Sequence, residues 1–264
     1  MKKYKLIAID IDGTLLNDNR EILPETLLNI KEAYNENVVI AISTGRGYPA
    51  SKRYVNEINL NIPLILYNGS RIRMSNDETL ILNKTINNAV AKKVYEVIEE
   101  NNGTCCFWKN DKLYFNKNDD YTVYYENLTS IKPTILSNVD DEIFNDINKF
   151  IWFGTSGELE KIQKEILVNI SGIDFFKSQT HILEIVPTGV NKGNAVSILA
   201  SSLGIKPEEV IAIGDDENDI SMIKYAGLGV AMGNAKQVVK NNADYITLTN
   251  NENGVGEVIK KFIL

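Results

Sequence analysis

Two aspartates stand two positions apart where an apolar stretch near the amino terminus ends. The stretch Tyr4–Ile9 predicts a buried strand, and Asp10 and Asp12 follow it directly. Gly13 interrupts the strand pattern and favours a turn, so both carboxylates are predicted at the carboxyl end of the strand. Ligands of open α/β sheets bind at that edge. Because two neighbouring anions cost free energy without a compensating cation or shared proton, the pattern indicates a metal site with acid chemistry.

Three further polar groups lie at predicted strand ends or at the start of a predicted helix. Ser43–Arg46 closes the strand Val38–Ile42, Asn191–Gly193 begins a helix, and Gly214–Asp219 closes the strand Val210–Ile213. Each group alone has an ordinary explanation, as a turn, a solvated helix lysine or acids at a helix N-terminus. Their occurrence together at one edge of one sheet indicates a single functional site.

The elements that must position these groups alternate between strands and helices. In residues 1–82 we predict strands at Leu6–Ile9, Val38–Ser43 and Leu64–Tyr67, and helices at Pro24–Asn35 and near Ala50–Glu57. The same alternation returns after Pro187, with a helix at Lys192–Leu203 and strands at Val210–Ile213, Gly229–Ala231 and Tyr245–Thr247. This rhythm predicts an α/β fold with a parallel sheet.

The intervening residues 83–186 have a different pattern. A helix at Asn87–Asn101 is followed by short aromatic-rich strands, including one at Tyr121–Tyr125, and a second helix is predicted at Glu158–Asn169. This pattern indicates an α+β module with antiparallel pairing. We therefore expect one α/β domain built from residues 1–82 and 187–264, with residues 83–186 inserted as a second domain.

Composition narrows the class of protein. The 264 residues are 44% hydrophobic and 24% charged, as in a globular protein, and the net charge of −7 disfavours binding to nucleic acid or to an anionic membrane. No apolar run is long enough to span a bilayer, and Asp10 and Asp12 interrupt any signal-peptide core, so a cytoplasmic location is expected. The adjacent Cys105 and Cys106 are predicted to be small buried hydrophobes without a redox role.

The four polar groups together resemble the motifs of the haloacid dehalogenase (HAD) superfamily. Asp10–Thr14, Thr44–Arg46, Asn191–Gly193 and Gly214–Asp219 are similar in order and spacing to those of the Cof-type phosphatases of subfamily IIB. The resemblance covers the whole chain. It implies a Rossmann-like, parallel-sheet HAD core as the catalytic domain and an inserted α+β cap of the C2B type that selects the substrate.

The resemblance implies Mg²⁺-dependent hydrolysis of a phosphate monoester through an aspartyl-phosphate intermediate, with Asp10 as nucleophile and Asp12 as general acid and base. The residues implied to bind the substrate phosphate are Ile11, Thr44, Gly45, Arg46, Lys192 and Asn218. Those implied to hold the metal are Asp10, Asp12 (through its backbone carbonyl), Asp215 and Asp216. Asp219 is expected to support the site by positioning Lys192 or the ligands of the metal.

Several alternatives stay open at this point. Arg46 could bind an anionic substrate, or it could brace its loop through an ion pair. The same motifs would serve a phosphosugar mutase or another phosphotransferase, whereas a non-catalytic sensor of phosphorylated ligands is disfavoured because the acids of the motifs are all present. The expected substrate is a small phosphorylated metabolite such as a sugar phosphate, pyridoxal phosphate, flavin mononucleotide or a nucleotide-derived phosphate, and both a monomer and a homodimer are compatible with the sequence.

Overall fold

The structure is a computed structural model that describes residues 3–77 and 79–264. These residues form two compact units. The first contains the described residues up to Arg46, together with Ser51–Leu82 and Asn191–Leu264, and the second contains Gly47–Ala50 and Asn83–Val190. The second unit extends to Val190 rather than to residue 186, because Pro187 still pairs in its sheet and Val190 donates a hydrogen bond to Pro187.

The described residues contain fourteen strands and nine α-helices, distributed over the two units. The strands are β1 (Leu6–Ile9), β2 (Val39–Ser43), β3 (Pro63–Leu66), β4 (Arg71–Met74), β5 (Leu80–Asn83), β6 (Thr104–Lys109), β7 (Lys112–Phe115), β8 (Thr134–Ile135), β9 (Ile147–Phe153), β10 (Ile173–Gln179), β11 (Ile182–Pro187), β12 (Val210–Gly214), β13 (Leu228–Ala231) and β14 (Tyr245–Ile246). The α-helices are α1 (Pro24–Asn35), α2 (Tyr48–Ile58), α3 (Asn88–Glu100), α4 (Asp120–Thr129), α5 (Ser156–Asn169), α6 (Lys192–Ser202), α7 (Ile220–Tyr225), α8 (Gln237–Lys240) and α9 (Gly254–Phe262). Among the helices of the described residues, none is both long and apolar enough to cross a membrane.

The first unit is built on an eight-stranded sheet in the order β14-β13-β12-β1-β2-β3-β4-β5. Pairing is parallel from β14 to β3, and β4 pairs antiparallel with β3. The predicted α/β fold with a parallel sheet is therefore confirmed. The strands β4 and β5 at one edge of the sheet were not predicted. In β4, the charged side chains of Arg71 and Arg73 break the apolar run that identifies the central strands.

The central strands are buried on both faces. Every residue of β1 and β12 is buried, which explains why both read as continuous apolar runs. Helix α6 covers one face of the sheet, and its Val196 and Leu199 belong to the same apolar cluster as Leu6, Ala8 and Ala212. Because the paired strands β12, β1, β2 and β3 run parallel, their carboxyl ends meet at one edge, where the four polar motifs lie.

The second unit has a six-stranded sheet in the order β10-β11-β9-β6-β7-β8. Its pairs are antiparallel except for β7 with β8. Helices α3 and α5 contribute Val94, Ile98 and Leu159 to a core that also contains Trp152 and Phe150 from β9. The predicted α+β character of this segment is thus confirmed, and β10 is an additional strand that the sequence pattern did not indicate.

The predicted strand at Tyr121–Tyr125 is wrong, because this segment lies in helix α4. Asp119 caps the helix: its Oδ1 accepts hydrogen bonds from the backbone N–H groups of Tyr121 at 3.0 Å and Thr122 at 3.2 Å. The backbone N–H of Asp119 donates in return to the hydroxyl of Thr122. Aromatic residues favour strands on average, but here the capping interactions determine the local structure.

Candidate active site

Asp10 is held at the end of β1 by the sheet itself. Its backbone N–H donates to the carbonyl of Ile213 in β12 at 3.1 Å, which continues the ladder one residue beyond the strand. The side chain is almost completely buried and accepts a hydrogen bond from Nζ of Lys192 at 2.6 Å. Burial, together with the charges of Asp219, Asp215 and Asp12, raises the pKa of Asp10 well above its usual range, although Lys192 acts in the opposite direction.

A wide turn at Ile11–Leu15 separates Asp12 from Asp10. The turn is closed by hydrogen bonds from the backbone N–H of Leu15 to Asp10 and from that of Leu16 to Ile11. Ile11 is buried, and Gly13 has φ +75°, a conformation that favours glycine. The predicted turn is therefore present, and it directs the two carboxylates to different partners.

Asp12 forms a two-pronged ion pair with Arg46. Nε of Arg46 donates to Oδ2 of Asp12 at 2.7 Å, and its terminal nitrogen donates to Oδ1 at 2.6 Å. The side chain of Asp12 is 56% exposed, whereas that of Arg46 is 21% exposed. The pKa of Arg46 is raised because the hydrogen bonds and charge of Asp12 outweigh the effect of burial, which lowers it. Of the two interpretations that the sequence left open, the structure contains an ion pair, which joins the loop after β2 to the turn after β1.

Thr44 and Gly45 form a short loop after β2. The backbone N–H of Thr44 donates to Ile65 in β3 at 2.8 Å, and the Thr44 hydroxyl accepts from the backbone N–H of Arg46 at 3.1 Å. A hydroxyl that accepts in this way still carries a proton to donate. Gly45 lies against Asn68, since a methyl group on it would be 3.0 Å from Oδ1 of Asn68.

Lys192 is a charged residue in the first turn of helix α6, and it is 1% exposed. The carboxamide of Asn191 caps this helix by accepting from the backbone N–H of Asn194 at 2.8 Å. Nζ of Lys192 donates to Asp10 at 2.6 Å and to Oδ1 of Asp219 at 2.5 Å. These two carboxylates raise the pKa of Lys192 although its burial acts to lower it, so the ammonium stays charged.

Asp219 organises the loop after β12. It is fully buried, and its Oδ2 accepts from the backbone N–H groups of Asp215 and Asp216, both at 3.0 Å. With Lys192 on Oδ1, its carboxylate has three donors. The expected supporting role of Asp219 toward Lys192 corresponds to this arrangement.

Asp215 points into the same region as Asp10. Its Oδ1 accepts a hydrogen bond from the hydroxyl of Thr14 at 2.8 Å. Burial raises the pKa of Asp215 to about 7, and the charges of Asp219 and Asp216 add to this effect, whereas the bond from Thr14 opposes it. A carboxylate with such a pKa at a buried position is a frequent sign of a functional site.

One group of carboxylates in the described residues can hold a metal ion. Asp10, Asp215 and Asp219 each offer an oxygen, and these oxygens lie within 4.8 Å of one another. Three carboxylates face one ammonium, that of Lys192, so the group carries excess negative charge. Oxygen ligands and a negative charge fit a divalent cation such as Mg²⁺ or Ca²⁺.

The carboxylate of Asp216, which the resemblance associated with the metal, is not in this group, and neither is that of Asp12, whose backbone carbonyl is the expected ligand. Asp216 is exposed, and its Oδ1 forms an ion pair with Lys236 at 2.7 Å and accepts from the backbone N–H of Glu217. Asp12 is paired with Arg46, and its expected contribution is its backbone carbonyl. The structure thus places Asp219, rather than Asp216, beside Asp10 and Asp215.

Three residues of the site were not assigned a role from the sequence. Thr14 orients Asp215, and Ser221 accepts from the backbone N–H of Gly193 at 3.0 Å at the start of α6. Asn68 accepts a hydrogen bond from the carboxamide of Asn218 at 3.1 Å. The local signals for them were the place of Thr14 in the Asp10–Thr14 motif and the turn at Asn68 and Gly69 after a predicted strand.

The site combines a Rossmann-like parallel sheet, aspartates after its strands and a buried lysine at the start of helix α6. This combination is typical of a class of α/β hydrolases that act on phosphate esters. The chain belongs to the haloacid dehalogenase-like hydrolase family, whose sequence model matches residues 7–259. This confirms the resemblance of the four motifs, and the chain is a HAD-type phosphatase, a hydrolase of phosphoric monoesters.

Individual relatives match over nearly their whole length. The 5-amino-6-(5-phospho-D-ribitylamino)uracil phosphatase YcsE of Bacillus subtilis is 34% identical over 265 residues, which cover 98% of this chain and 96% of that protein. The crystal structure of TM0651 from Thermotoga maritima has a TM-score of 0.90 at 31% identity and covers 99% and 98% of the two chains. The HAD subclass IIB sugar phosphatase BT4131 has a TM-score of 0.83 at 26% identity, with 98% of each chain covered.

Proposed function

We propose that this protein hydrolyses the phosphate monoester of a small metabolite, with Asp10 as the nucleophile and Mg²⁺ as the cofactor. The observation that carries the proposal is the convergence of Asp10 and Asp215 with Lys192, the only cation that contacts Asp10 among the described hydrogen bonds and ion pairs. This arrangement supplies a carboxylate nucleophile, oxygen ligands for a metal and a positive charge for the phosphate.

Asp10 attacks the phosphorus atom of the substrate. A bond forms between its carboxylate oxygen and phosphorus as the bond from phosphorus to the leaving oxygen breaks, which gives an aspartyl phosphate. The leaving oxygen takes a proton from the carboxylic acid of Asp12. The attachment of Asp10 to the sheet through Ile213 keeps the attacking carboxylate at the strand end, where positioning contributes much of the catalysis of phosphoryl transfer.

Asp12 then acts as a general base. It removes a proton from a water molecule, whose oxygen attacks phosphorus and releases inorganic phosphate together with the Asp10 carboxylate. In the structure each oxygen of Asp12 accepts one hydrogen bond from Arg46, and each keeps a second lone pair through which a proton can be transferred. Arg46 therefore sets the orientation of Asp12 between the two steps. General acid–base catalysis of this kind typically contributes ~10²–10⁴ in rate.

The metal and the phosphate are held by different sets of residues. Asp10, Asp215 and the backbone carbonyl of Asp12 would hold Mg²⁺, and Asp219 would hold Lys192 in place. When bound, Mg²⁺ offsets the repulsion between the carboxylates and the anionic substrate. For the phosphate we assign the hydroxyl of Thr44, the backbone N–H groups of Ile11 and Gly45, the ammonium of Lys192 and the carboxamide of Asn218.

The names of two relatives support a proposal for the substrate class. YcsE is named for a phosphorylated ribityl compound and BT4131 is described as a sugar phosphatase. We infer that this protein acts on a phosphorylated sugar or sugar alcohol, or on a metabolite that contains one. Substrate selection is assigned to the inserted unit formed by residues 83–190. The phosphomutase alternative is not favoured, because these relatives are named phosphatases.

The first experiment measures phosphate release from a panel of phosphorylated metabolites and p-nitrophenyl phosphate, with Mg²⁺ or with EDTA. We expect Mg²⁺-dependent release that Asp10→Asn abolishes, because an amide cannot form the acyl phosphate. Asp146→Asn is the matched control: Asp146 is exposed, outside the site, and its left-handed conformation (φ +59°) suits asparagine. Unchanged turnover in Asp10→Asn, or release that EDTA does not affect, would contradict the proposal.

A further inference from the structure

Asn68 lies at an unusual place in the backbone. It follows β3 in a run of three residues with positive φ, namely Tyr67 at +53°, Asn68 at +58° and Gly69 at +105°. Such conformations cost free energy for non-glycine residues, and they are often retained where a side chain must be held in one position. Asn68 is 3% exposed, so its carboxamide is a buried polar group within the site region.

The backbone of this segment anchors the loop that follows β2. The backbone N–H of Asn68 donates to the carbonyl of Thr44 at 3.0 Å, and that of Tyr67 donates to the carbonyl of Arg46 at 3.0 Å. The side chain of Asn68 packs on Gly45, where a methyl group would lie 3.0 Å from Oδ1 and 3.3 Å from Nδ2. Asn68 therefore fixes the Thr44–Arg46 loop through both its backbone and its side chain.

The side chain also reaches a loop from a distant strand. Oδ1 of Asn68 accepts from Nδ2 of Asn218 at 3.1 Å, and Asn218 lies in the loop after β12. In the sheet, β12 and β3 are separated by β1 and β2, so their ends are roughly 14 Å apart at the usual strand spacing. The two loops therefore meet across the ends of the strands that are followed by Asp10 and Thr44.

We propose that Asn68 is a positioning residue of the phosphate site, which holds Gly45 and Asn218 in the geometry that binds the phosphoryl group. This inference rests on the proposed function, because Gly45 and Asn218 are phosphate ligands in that proposal. Asn68 acts through these two neighbours. Thr14 and Asp219 instead orient other residues of the site, since Thr14 contacts Asp215 and Asp219 contacts Lys192.

The test measures the affinity for inorganic phosphate by calorimetry in the presence of Mg²⁺, together with kcat and KM for p-nitrophenyl phosphate. Asn68→Gly removes the carboxamide and accommodates the positive φ. Asn37→Gly is the matched control, since Asn37 has φ +62° and is exposed after α1. We expect Asn68→Gly to weaken phosphate binding about tenfold, as for the loss of one hydrogen bond, and Asn37→Gly to leave it unchanged.

A double-mutant cycle identifies the path of the effect. Asn218→Ala removes the same hydrogen bond together with a phosphate ligand of the proposed site, so it should weaken phosphate binding at least tenfold. The double variant should lose less than the product of the two single losses, because part of the effect of Asn68 passes through Asn218. The affinity for Mg²⁺ without phosphate should stay within about twofold in all variants, since neither side chain belongs to the carboxylate group that can hold a metal.

Three results would overturn the inference: wild-type phosphate affinity in Asn68→Gly, losses that multiply in the double variant, or a parallel loss of Mg²⁺ affinity. If Asn68→Gly fails to fold, Asn218→Ala and Gly45→Ala test the same contacts from their other ends, and wild-type affinity in both would overturn it. Failure of the proposed function would give a different result from failure of this inference. The wild-type protein would then bind phosphate, but it would release no phosphate from any ester in the presence of Mg²⁺.

Discussion

Replacing Gly13 by alanine should separate backbone strain from damage to the proposed metal site. Gly13 has φ +75°, a conformation that costs an L-residue about 1–2 kcal/mol. A methyl group on Gly13 would also lie 2.4 Å from Oδ2 of Asp215 and 2.8 Å from its Cγ, well inside van der Waals contact. The Asp215 carboxylate must therefore move, and its hydrogen bond from Thr14 is disturbed with it.

Gly204 provides the matched control for this substitution. It has φ +67°, and no described atom lies within 4 Å of the position of an added methyl group. Gly204→Ala should lose about 1–2 kcal/mol of unfolding free energy, which corresponds to roughly 2–8 °C in Tm, and Gly13→Ala should lose at least as much, because the same strain is joined by the clash with Asp215. Only Gly13→Ala should also lose affinity for Mg²⁺, by about 10–100-fold, the usual effect of disturbing the groups that orient metal ligands.

The assay combines thermal unfolding in EDTA with calorimetric titration of Mg²⁺ into the metal-free protein. The unfolding measurement reports the strain that the two variants share, and the titration reports the displacement of Asp215 alone. Equal Mg²⁺ affinity in Gly13→Ala and Gly204→Ala would refute the assignment of Asp215 as a ligand positioned by the turn. A similar loss of affinity in Gly204→Ala would show that the effect comes from strain rather than from the contact.

Two further predictions concern charge. In the second unit, Lys149→Met should cost about 3–5 kcal/mol of unfolding free energy, because it removes the ammonium that lies 3.0 Å from the Glu184 carboxylate, whose side chain is only 12% exposed. Lys92→Met, which breaks the exposed pair with Asp141, should cost less than about 1 kcal/mol; chemical denaturation measures both losses, and equal losses would contradict the argument from burial. The pKa of Asp215, raised to about 7 by burial, lies above its unfolded value, so the metal-free protein should lose stability as the pH rises from 5 to 7. Mg²⁺ affinity should fall about fivefold between pH 7 and pH 6 as protons compete for the Asp215 carboxylate, and a calorimetric titration with no pH dependence would refute this.

The strand ends could be predicted from the sequence because their signals are local. The apolar runs of β1 and β12 and the polar residues after them are sufficient to place Asp10 and Asp215 at one edge of a parallel sheet. Helix α1 has the predicted bounds, Pro24–Asn35, since Pro24 suits a first helical turn. The strand predicted at Tyr121–Tyr125 is wrong although its signal is also local, because the helix capping by Asp119 outweighs the average preference of aromatic residues for strands.

The partners in several of the contacts that orient the site could not be predicted, because these contacts join residues far apart in the chain. Asp12 pairs with Arg46, which is 34 residues away, and Asn68 with Asn218, which is 150 residues away. The composition of a motif indicates that a residue is polar and near the site, but its partner depends on which strands are adjacent. Which of Asp216 and Asp219 lies beside Asp10 and Asp215 depends on such a contact, since Asp216 forms an exposed ion pair with Lys236.

Charge balance explains why one group of residues can serve both a cation and an anion. Asp12 is balanced by Arg46, and Asp216 by Lys236, so neither pair contributes net charge to the interior of the site. The buried carboxylates Asp10, Asp215 and Asp219 then face the single ammonium of Lys192, which leaves a formal charge of about −2 when all three are ionised. A divalent cation would neutralise this charge, and only then could a phosphate dianion approach Asp10 without strong repulsion. Metal binding is therefore expected to precede substrate binding, and phosphate affinity should collapse in EDTA.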